Sequence, residues 1–384
     1  MVKSRIELKN DIVRYAKSLG FGRVGVTSVE PLVDAETFLE SWVREGRAGE
    51  MDYMVEDWRR RFRPAEQLPG AKSVIALAAS YFDSEPFSSS FPAGSSGESS
   101  RCFDKMDSPP TTAGNDGRRG RVARYAWGKE YHTVIRKRLD ALVRYIEALA
   151  PEARCKTYVD TCPLLERALA QRAGVGFVGK NTLLITRGLG SWVFLGTVLT
   201  TLDLPADAPD ARSCGSCTLC IDACPTQAIT APYALDARRC IAYLTIELKE
   251  GIPRELRPLT GEWLFGCDIC QDVCPHNTRV PPTPLEEFRA GRGVGPSLDL
   301  SEILGLRTEE EFQRRFAGTP LKRSKRHGLM RNACLVAAHG GRRDLLPRLQ
   351  ELAESDPHPV VREHARWAVE QLLESKAGGP PDWR

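Results

Sequence analysis

The spacing of the cysteines in the middle of the chain constrains the fold more than any other feature. Cys214-x2-Cys217-x2-Cys220-x3-Cys224-Pro225 places three thiols so close together that a short loop can surround one iron–sulfur cubane while the fourth cysteine points away. A second run, Cys267-x2-Cys270-x3-Cys274-Pro275, ends in the same way, but Leu264 stands where a further cysteine would complete the pattern. The sequence therefore predicts two 4Fe-4S clusters and leaves one ligand to be found.

The missing ligand is predicted to be Cys240, which lies between the two runs and just before the apolar stretch 241–248. In ferredoxins with two clusters, the cysteine that precedes each proline ligates the other cluster. Cluster one is then bound by Cys214, Cys217, Cys220 and Cys274, and cluster two by Cys224, Cys240, Cys267 and Cys270.

A pair of zinc knuckles is the structural alternative for these cysteines. The repeated spacing with its proline favours iron–sulfur clusters, because tetrahedral zinc sites rarely pack three ligands in this way. The chain has 12 cysteines, and those outside the two sets are predicted to be small apolar fillers or exposed thiols. They are Cys102, Cys155, Cys162 and Cys334.

The first 205 residues alternate helical and strand patterns, which predicts one mixed α/β domain. Residues 84–120 interrupt it with Ser, Pro, Gly and Asp and are predicted to be a mobile insertion. The predicted helices are 6–19, 132–149 and 163–172, and the predicted strands are 23–27, 74–80, 157–161, 183–185 and 192–199.

The remaining chain divides into a ferredoxin-like domain, 206–285, and a helical domain, 286–384. Helices predicted at 329–339, 345–354 and 360–374 are separated by breaker residues, which is typical of stacked HEAT-like repeats. We therefore expect an α+β protein of three domains.

The start of the chain is too charged for a signal peptide, and the sequence contains no run of 18 apolar residues that could span a membrane. We expect a cytoplasmic protein, in which thiols stay reduced and disulfides are not expected.

The net charge of +4 is too small to indicate a nucleic-acid partner. Seven basic residues without an acidic one nevertheless occur between positions 314 and 331, as in a phosphate-binding surface. The alternative is a solvated loop between helices. The seven are Arg314, Arg315, Lys322, Arg323, Lys325, Arg326 and Arg331.

The run Gly174-x-Gly176-x-x-Gly179-Lys180 imitates the fingerprints of dinucleotide and phosphate sites. A true fingerprint follows a strand and opens a helix, whereas this run closes a predicted helix and leads into a strand. It does not predict NAD or ATP binding, and its glycines favour close approach of the backbone to a bulky ligand.

Several segments together resemble the epoxyqueuosine reductase family. They are Leu68-Pro-Gly-Ala-Lys-Ser73, Trp127-Gly-Lys-Glu-Tyr-His132, Val159-Asp-Thr161, Gly176-Phe-Val-Gly-Lys-Asn181, both cysteine runs, and Cys240-Ile-Ala-Tyr-Leu-Thr245. The resemblance covers most of the chain outside the insertion. It implies a cobalamin-dependent enzyme, related to reductive dehalogenases, that reduces epoxyqueuosine in the tRNA anticodon loop to queuosine.

The resemblance also implies roles for individual residues. Asp160 matches the family's catalytic acid, and we expect burial beside the corrin to raise the pKa of its carboxyl toward neutrality; the alternative is a helix-capping aspartate before Pro163. Cys162 stands where the family has a small residue and could ligate cobalt. The implied corrinoid contacts are Arg61, Ala123, Asp160, Leu184, Ile185, Thr186, Leu195, Ala242, Cys267 and Asp268.

The expected partners are a tRNA carrying epoxyqueuosine and an external low-potential electron donor, with no membrane partner, and we expect a monomer. The residues predicted to bind the tRNA backbone are Lys322, Arg323, Lys325 and Arg326. Two rival interpretations are a corrinoid reductase of small molecules and a plain two-cluster electron carrier. The carrier would need only residues such as 206–285 and would leave the rest unexplained.

Overall fold

The computed structural model describes residues 3–56, 58–84, 117–160 and 163–374. Cys102, Cys162 and most of the predicted insertion lie outside these residues. The strands are β1 (Arg23–Ser28), β2 (Ser73–Ser80), β3 (Arg119–Val122), β4 (Cys155–Tyr158), β5 (Phe177–Val178), β6 (Leu184–Ile185), β7 (Val193–Thr200), β8 (Ile229–Ala231), β9 (Ala234–Leu235), β10 (Trp263–Phe265) and β11 (Ser297–Asp299).

The helices of the described residues occur throughout the chain and dominate its last quarter. They are α1 (Arg5–Ser18), α2 (Val33–Arg44), α3 (Asp52–Val55), α4 (Tyr131–Leu149), α5 (Glu166–Arg172), α6 (Leu219–Asp222), α7 (Ile241–Ile246), α8 (Ile269–Asp272), α9 (Leu300–Gly305), α10 (Glu309–Arg315), α11 (Lys325–His339), α12 (Leu346–Ser355) and α13 (Pro359–Glu374).

The N-terminal part of the chain is built around an antiparallel sheet with the strand order β1-β2-β7-β4. β2 is buried along its whole length, as its uninterrupted apolar sequence predicts. Ile75 and Leu77 pack with α1 and α4, whereas Ala76 and Ala78 pack with α5. The sheet therefore has helices on both faces, and the predicted mixed α/β domain is confirmed as an architecture.

Two predicted boundaries near position 160 are wrong. The strand expected over 157–161 ends at Tyr158, because Asp160 has φ +53, in the left-handed region that strands do not use. The helix expected from Pro163 begins at Glu166. Asp160 therefore lies in a loop between β4 and α5 rather than at a helix N-terminus, which excludes the helix-capping alternative.

A three-stranded sheet joins the three predicted domains. β3 pairs with β10 on one side and with β11 on the other, so each segment of the chain contributes one strand. The start of β3 at Arg119 also shortens the predicted insertion. An apolar core runs from Trp127 through Phe265 to the C-terminal helices, so the three segments are not separate packing units.

The C-terminal helices lie where the sequence predicted them. α13 packs against both α11 and α12, and α11 also packs against α9 and α10. Their grouping into HEAT-like repeats stays a prediction. None of the described helices is long and apolar enough to cross a membrane.

Candidate functional site

The eight predicted cluster ligands come together as two sets of thiols. The charges of Cys214, Cys217 and Cys274 act on Cys220 and, with burial as the largest cause, raise the pKa of its thiol to about 11. This proximity agrees with the predicted ligand set of cluster one.

The second set is formed by Cys224, Cys240, Cys267 and Cys270, which are all partly buried. Burial raises the pKa of the Cys267 and Cys270 thiols well above the usual range, and the charge of Cys240 adds to it in both cases. Cys224 faces Cys240 and Cys270. Leu264, where the sequence lacks a cysteine, is buried in β10. The proximity of these thiols places Cys240 where a fourth ligand of cluster two is needed.

The glycine-rich run ending at Lys180 holds the first cysteine loop. Lys180 Nζ donates to the carbonyl oxygens of Gly215 at 2.8 Å and Cys217 at 2.9 Å, and its backbone N–H faces Cys214 Sγ at 3.4 Å. Asn181 reaches the carbonyl of Cys270 at 3.4 Å. Lys180 is therefore engaged by the cysteine loop, in agreement with the rejection of a nucleotide-phosphate role.

Two of the cysteines predicted to lie outside the ligand sets are described by the structure, and both are removed from solvent in part or in full. Cys155 is half-buried in β4 and lies 3.5 Å from Thr200 Oγ1, and Cys334 is fully buried in α11. Both fit the prediction that they are structural side chains.

Asp160 is surrounded by side chains that donate or carry protons. Tyr131 Oη donates to Asp160 Oδ2 at 2.5 Å, and His132 Nε2 lies 3.4 Å from the same oxygen. His132 Nδ1 contacts Glu130 Oε1 at 2.7 Å. Tyr131 and His132 lie in the first turn of α4, and Glu130 is the residue just before that helix.

The ionisation of Asp160 depends on its neighbours in the protein. Burial opposes the charge of its carboxylate, but the interactions with His132 and Tyr131 and the positive charge of Arg323 outweigh burial and lower the pKa of Asp160 to about 2. Burial likewise opposes the charge of His132, yet Asp160 and Glu130 raise its pKa to about 9. At neutral pH the proton therefore resides on His132; the pKa of Asp160 is lowered by its protein neighbours, and a rise of this pKa beside a corrin stays a prediction.

A cation from the C-terminal segment also reaches Asp160. Arg323 Nη1 lies 3.8 Å from Asp160 Oδ2, and Arg323 Nε lies 2.8 Å from Glu247 Oε1, just after α7. Arg323 Nη2 donates to Tyr53 Oη at 3.3 Å. The sequence had assigned Arg323 to phosphate binding and did not predict this contact between segments.

The side chain of Glu166 is hydrogen-bonded to the backbone of Asp160. Its Oε2 accepts a hydrogen bond from the backbone N–H of Asp160 at 2.9 Å. Burial, followed by the charge of Asp160, raises the pKa of Glu166 to about 8. The backbone of Asp160 is thus fixed by a carboxyl group that stays largely protonated at neutral pH.

Four of the residues implied to contact a corrinoid lie in two apolar clusters. Leu184 and Leu195 belong to an apolar cluster on the sheet, while Ala123 and Cys267 belong to another beside α7 and α8. Tyr131 stacks on Phe194 with ring centroids 4.5 Å apart, on the face of β7 opposite to Leu195. Of the other implied contacts, Ile185 and Thr186 are buried beside Leu184, and Ala242 is half-buried in α7. Arg61 donates a hydrogen bond to the carbonyl oxygen of Tyr53. Asp268 Oδ2 accepts a hydrogen bond from the backbone N–H of Arg124 at 2.7 Å.

These residues fit a large, partly polar cofactor. Thr186 Oγ1 is buried and has no hydrogen-bond partner among the residues that the structure describes, and a buried hydroxyl of this kind calls for a partner. Burial and the charge of Asp272 raise the pKa of Asp268 to about 7, so a carboxyl capable of donating lies beside Cys267. Apolar side chains flanked by such groups suit a corrin ring with amide arms.

The basic run of the C-terminal segment is only partly exposed. Arg326 forms a buried ion pair with Asp356 at 2.6 Å. Arg331 is fully buried and donates to three carbonyl oxygens, those of Leu244, Leu248 and Glu250. Because a buried, paired guanidinium cannot meet a phosphate, Arg326 is withdrawn from the predicted tRNA-binding residues, and Arg331 from the basic surface.

Two sets of four thiols are the number and kind of ligands that two 4Fe-4S clusters require. The same molecule brings an imidazole, a phenol and a carboxylate together at Asp160. Reductions consume both electrons and protons, so this combination suits reductive chemistry. The fold and the site therefore define a two-cluster iron–sulfur oxidoreductase.

Comparison with known proteins identifies the family. Residues 213–277 match the family described as 4Fe-4S double cluster binding domain, and residues 61–161 match the one described as Epoxyqueuosine reductase QueG, DUF1730. The epoxyqueuosine reductase of Pseudomonas aeruginosa is 40% identical over 94% of this chain and 94% of its own length. That of Xanthomonas campestris is 41% identical over 93% of this chain and 94% of its own length.

Solved structures agree with the sequence relatives. An epoxyqueuosine reductase solved with a tRNA-Tyr epoxyqueuosine-modified stem loop superposes with a TM-score of 0.81 at 33% identity, covering 96% of this chain and 91% of the other. A Bacillus subtilis structure, described with its aspartate-bearing catalytic loop swung out of the active site, gives 0.80 at 32% identity and the same coverage.

The chain belongs to the epoxyqueuosine reductase family. It is an oxidoreductase of this family and carries a domain for two 4Fe-4S clusters. The zinc alternative for the cysteines is thereby excluded.

Proposed function

We propose that the chain reduces epoxyqueuosine in the anticodon loop of tRNA to queuosine, with cobalamin as the cofactor and Asp160 as the group that delivers a proton. The observation that carries the proposal is the contact of Asp160 with both Tyr131 and His132. Converting an epoxide to an alkene releases its oxygen as water and consumes two electrons and two protons. A site for this reaction needs a proton donor at the oxygen.

Asp160 and His132 share the work of proton delivery in this proposal. His132 holds a proton at neutral pH because its pKa is raised to about 9, and the Asp160 carboxylate lies 3.4 Å away. About half of the Asp160 side chain is exposed, so its carboxylate can meet a substrate. Asp160 passes to the epoxide oxygen a proton that His132 supplies, and Tyr131 fixes the position of the carboxylate.

The cofactor would be held by the two apolar clusters that contain Leu195 and Cys267 and by their neighbours. Leu184, Ile185 and Leu195 would offer an apolar surface, and Thr186 a hydroxyl without another partner. Ala123, Ala242, Cys267 and Asp268 would approach it from the cluster side, and Arg61 from the short helical turn Trp58–Phe62 that follows α3. When bound, cobalamin would supply the strongly reducing centre that opens the epoxide, with electrons from an external donor reaching it through the clusters.

The tRNA would be held by the exposed cations of the C-terminal segment. Lys322 and Lys325 are exposed, and Arg323 lies at the border between this surface and the site. Backbone contacts of this kind position the RNA, while the modified base leaves the stack and enters the site. The tRNA stem loop bound to the solved relative supports this substrate.

The test combines nucleoside analysis with a matched pair of variants. Anaerobically reconstituted protein is supplied with cobalamin, a low-potential reductant and tRNA carrying epoxyqueuosine, and queuosine is measured by mass spectrometry. Asp160→Asn is expected to lower the single-turnover rate by about 10²- to 10⁴-fold, while Asp203→Asn, which changes an exposed aspartate beside Arg5, leaves it unchanged. Absorbance titration with cobalamin checks that both variants still bind the cofactor.

Two results would contradict the proposal at different points. A wild-type rate in Asp160→Asn would remove Asp160 from proton delivery. Wild-type protein that binds iron and cobalamin but leaves the tRNA unchanged, while reducing a small halogenated or epoxide compound, would instead favour the small-molecule reductase.

A further inference from the structure

We propose that the exposed face of α4 beside His132 is a second phosphate-binding surface for the RNA. We call it the α4 basic face and define it by Arg136 and Lys137. The inference rests on the proposed function, because it assumes that the substrate is an RNA. It adds a contact surface that the basic run of the C-terminal segment does not include.

An open cleft connects this face to the candidate proton site. It has a volume of about 510 Å³ and is lined by His132, Thr133, Arg136, Lys137 and Asp140. His132 is also the residue that lies 3.4 Å from Asp160. The cleft therefore leads from the Asp160 loop along the surface of α4.

The two cations of the face are available to a ligand. Arg136 and Lys137 are exposed, and neither forms a hydrogen bond or an ion pair with another described residue. The next residue, Arg138, shows the contrast, because it pairs with Glu287 at 2.9 Å. Asp140 lies one helical turn beyond Arg136, on the side away from His132. The positive charge is therefore concentrated at the end of the cleft near His132 and Asp160. Adjacent cations without an acidic partner suit a polyanion.

The N-terminal end of α4 contacts the C-terminal segment between two of its exposed cations. The backbone N–H of Glu130, just before α4, donates to the carbonyl oxygen of Gly318 at 2.8 Å. Gly318 lies between exposed Arg314 in α10 and exposed Lys322. Cations from two separate segments therefore flank the Asp160 and His132 site. An RNA loop whose base enters a pocket presents phosphates on both sides of that base, which matches this arrangement.

The test measures binding of the reconstituted protein to a fluorescently labelled anticodon stem loop by anisotropy at several salt concentrations. The double variant Arg136→Gln/Lys137→Gln is expected to raise Kd roughly tenfold and to reduce the slope of log Kd against log salt by about 1.5 to 2. The matched control is Lys3→Gln/Arg5→Gln, which also removes one lysine and one arginine. Arg5 pairs with Asp203, which lies beyond the C-terminal end of β7. Phe194, which stacks on Tyr131 of the candidate site, lies near the opposite end of that strand. The control is therefore expected to bind the stem loop as the wild type does.

Binding curves of the double variant that coincide with those of the control at every salt concentration would overturn the proposal. Conversion is measured on the same samples. If the wild type binds the stem loop and converts none of it, the proposed reaction fails while a loss of binding in the double variant still supports the α4 basic face. Equal iron content and equal far-ultraviolet circular dichroism exclude misfolding as the cause.

Discussion

At the scale of single residues, the site depends on which charges face Asp160. Tyr131 and His132 come from one helix, whereas Arg323 arrives from the C-terminal segment and also pairs with Glu247 at 2.8 Å. Without this guanidinium, the carboxylates of Asp160 and Glu247 would lose the cation that lies between them. Arg323 is therefore a positioning residue for Asp160.

Arg323→Gln is expected to lower the single-turnover rate on the order of tenfold or more, because a small misplacement of a reacting group is costly. Arg323→Lys retains the charge and is expected to recover part of the rate. The measurement is single-turnover queuosine formation at saturating tRNA, together with the Kd of the stem loop. If Arg323→Gln changes Kd and its salt dependence but not the rate, Arg323 is a phosphate ligand as the sequence predicted.

At the scale of elements, two short helices organise the clusters. α6 follows the first cysteine loop and α8 the second, and the two helices pack against each other. α7 begins directly after Cys240 and places that residue beside the second set of thiols. The predicted fourth ligand of cluster two thus lies outside both cysteine runs.

Cys240→Ser is expected to lower the iron content of anaerobically reconstituted protein from about 8 to about 4 atoms per chain, because cluster two loses a thiolate. Cys155→Ser is the control, since Cys155 contacts Thr200 Oγ1 rather than a cluster ligand. Colorimetric iron analysis and the electron paramagnetic resonance spectrum of the reduced protein measure the difference. Full iron content in Cys240→Ser would remove Cys240 from the ligand set.

At the scale of the whole molecule, α13 is tied to the cluster-binding segment by buried polar groups. His364 is fully buried; its Nε2 accepts from the backbone N–H of Ile252 at 3.1 Å, and its Nδ1 faces the carbonyl oxygen of Val360 at 2.8 Å. Only neutral imidazole can accept at Nε2 while donating at Nδ1. Burial and then the charge of Arg257 lower the pKa of His364 to about 3.

This arrangement predicts acid sensitivity. The unfolded chain takes up a proton at His364 near pH 6.5, whereas the folded chain does so only near pH 3. The free energy of unfolding therefore falls as pH decreases through this window, by up to about 1.4 kcal/mol per pH unit from this group. His327, whose pKa burial and His358 lower to about 4, acts in the same direction.

The expected result is a melting temperature that decreases between pH 6.5 and pH 4.5 and decreases less steeply in His364→Gln. Differential scanning calorimetry of the holoprotein measures both slopes. Parallel slopes in wild type and variant would show that another group causes the acid sensitivity.

The sequence by itself determined most of the elements and the requirement for two 4Fe-4S clusters. Apolar periodicity predicted α1, α4, β2 and β7, because burial of one face or of a whole strand is written into local patterns. Cysteine spacing predicted seven of the eight ligands, because each short cysteine run supplies several thiols at fixed separations. The proximity of Cys240 to Cys267 and Cys270 agrees with its choice as the ligand that spacing alone left open.

Only the tertiary structure decided the charges and partners of the site. Arg323, Arg326 and Arg331 are equivalent in a count of basic residues, yet one reaches Asp160 and two are buried. The pKa of Asp160 depends on a cation from another segment, and the sheet of β3, β10 and β11 joins segments far apart in the chain. Local patterns record burial and turns, whereas electrostatic pairing between distant segments depends on how they pack, and no spacing in the sequence encodes it.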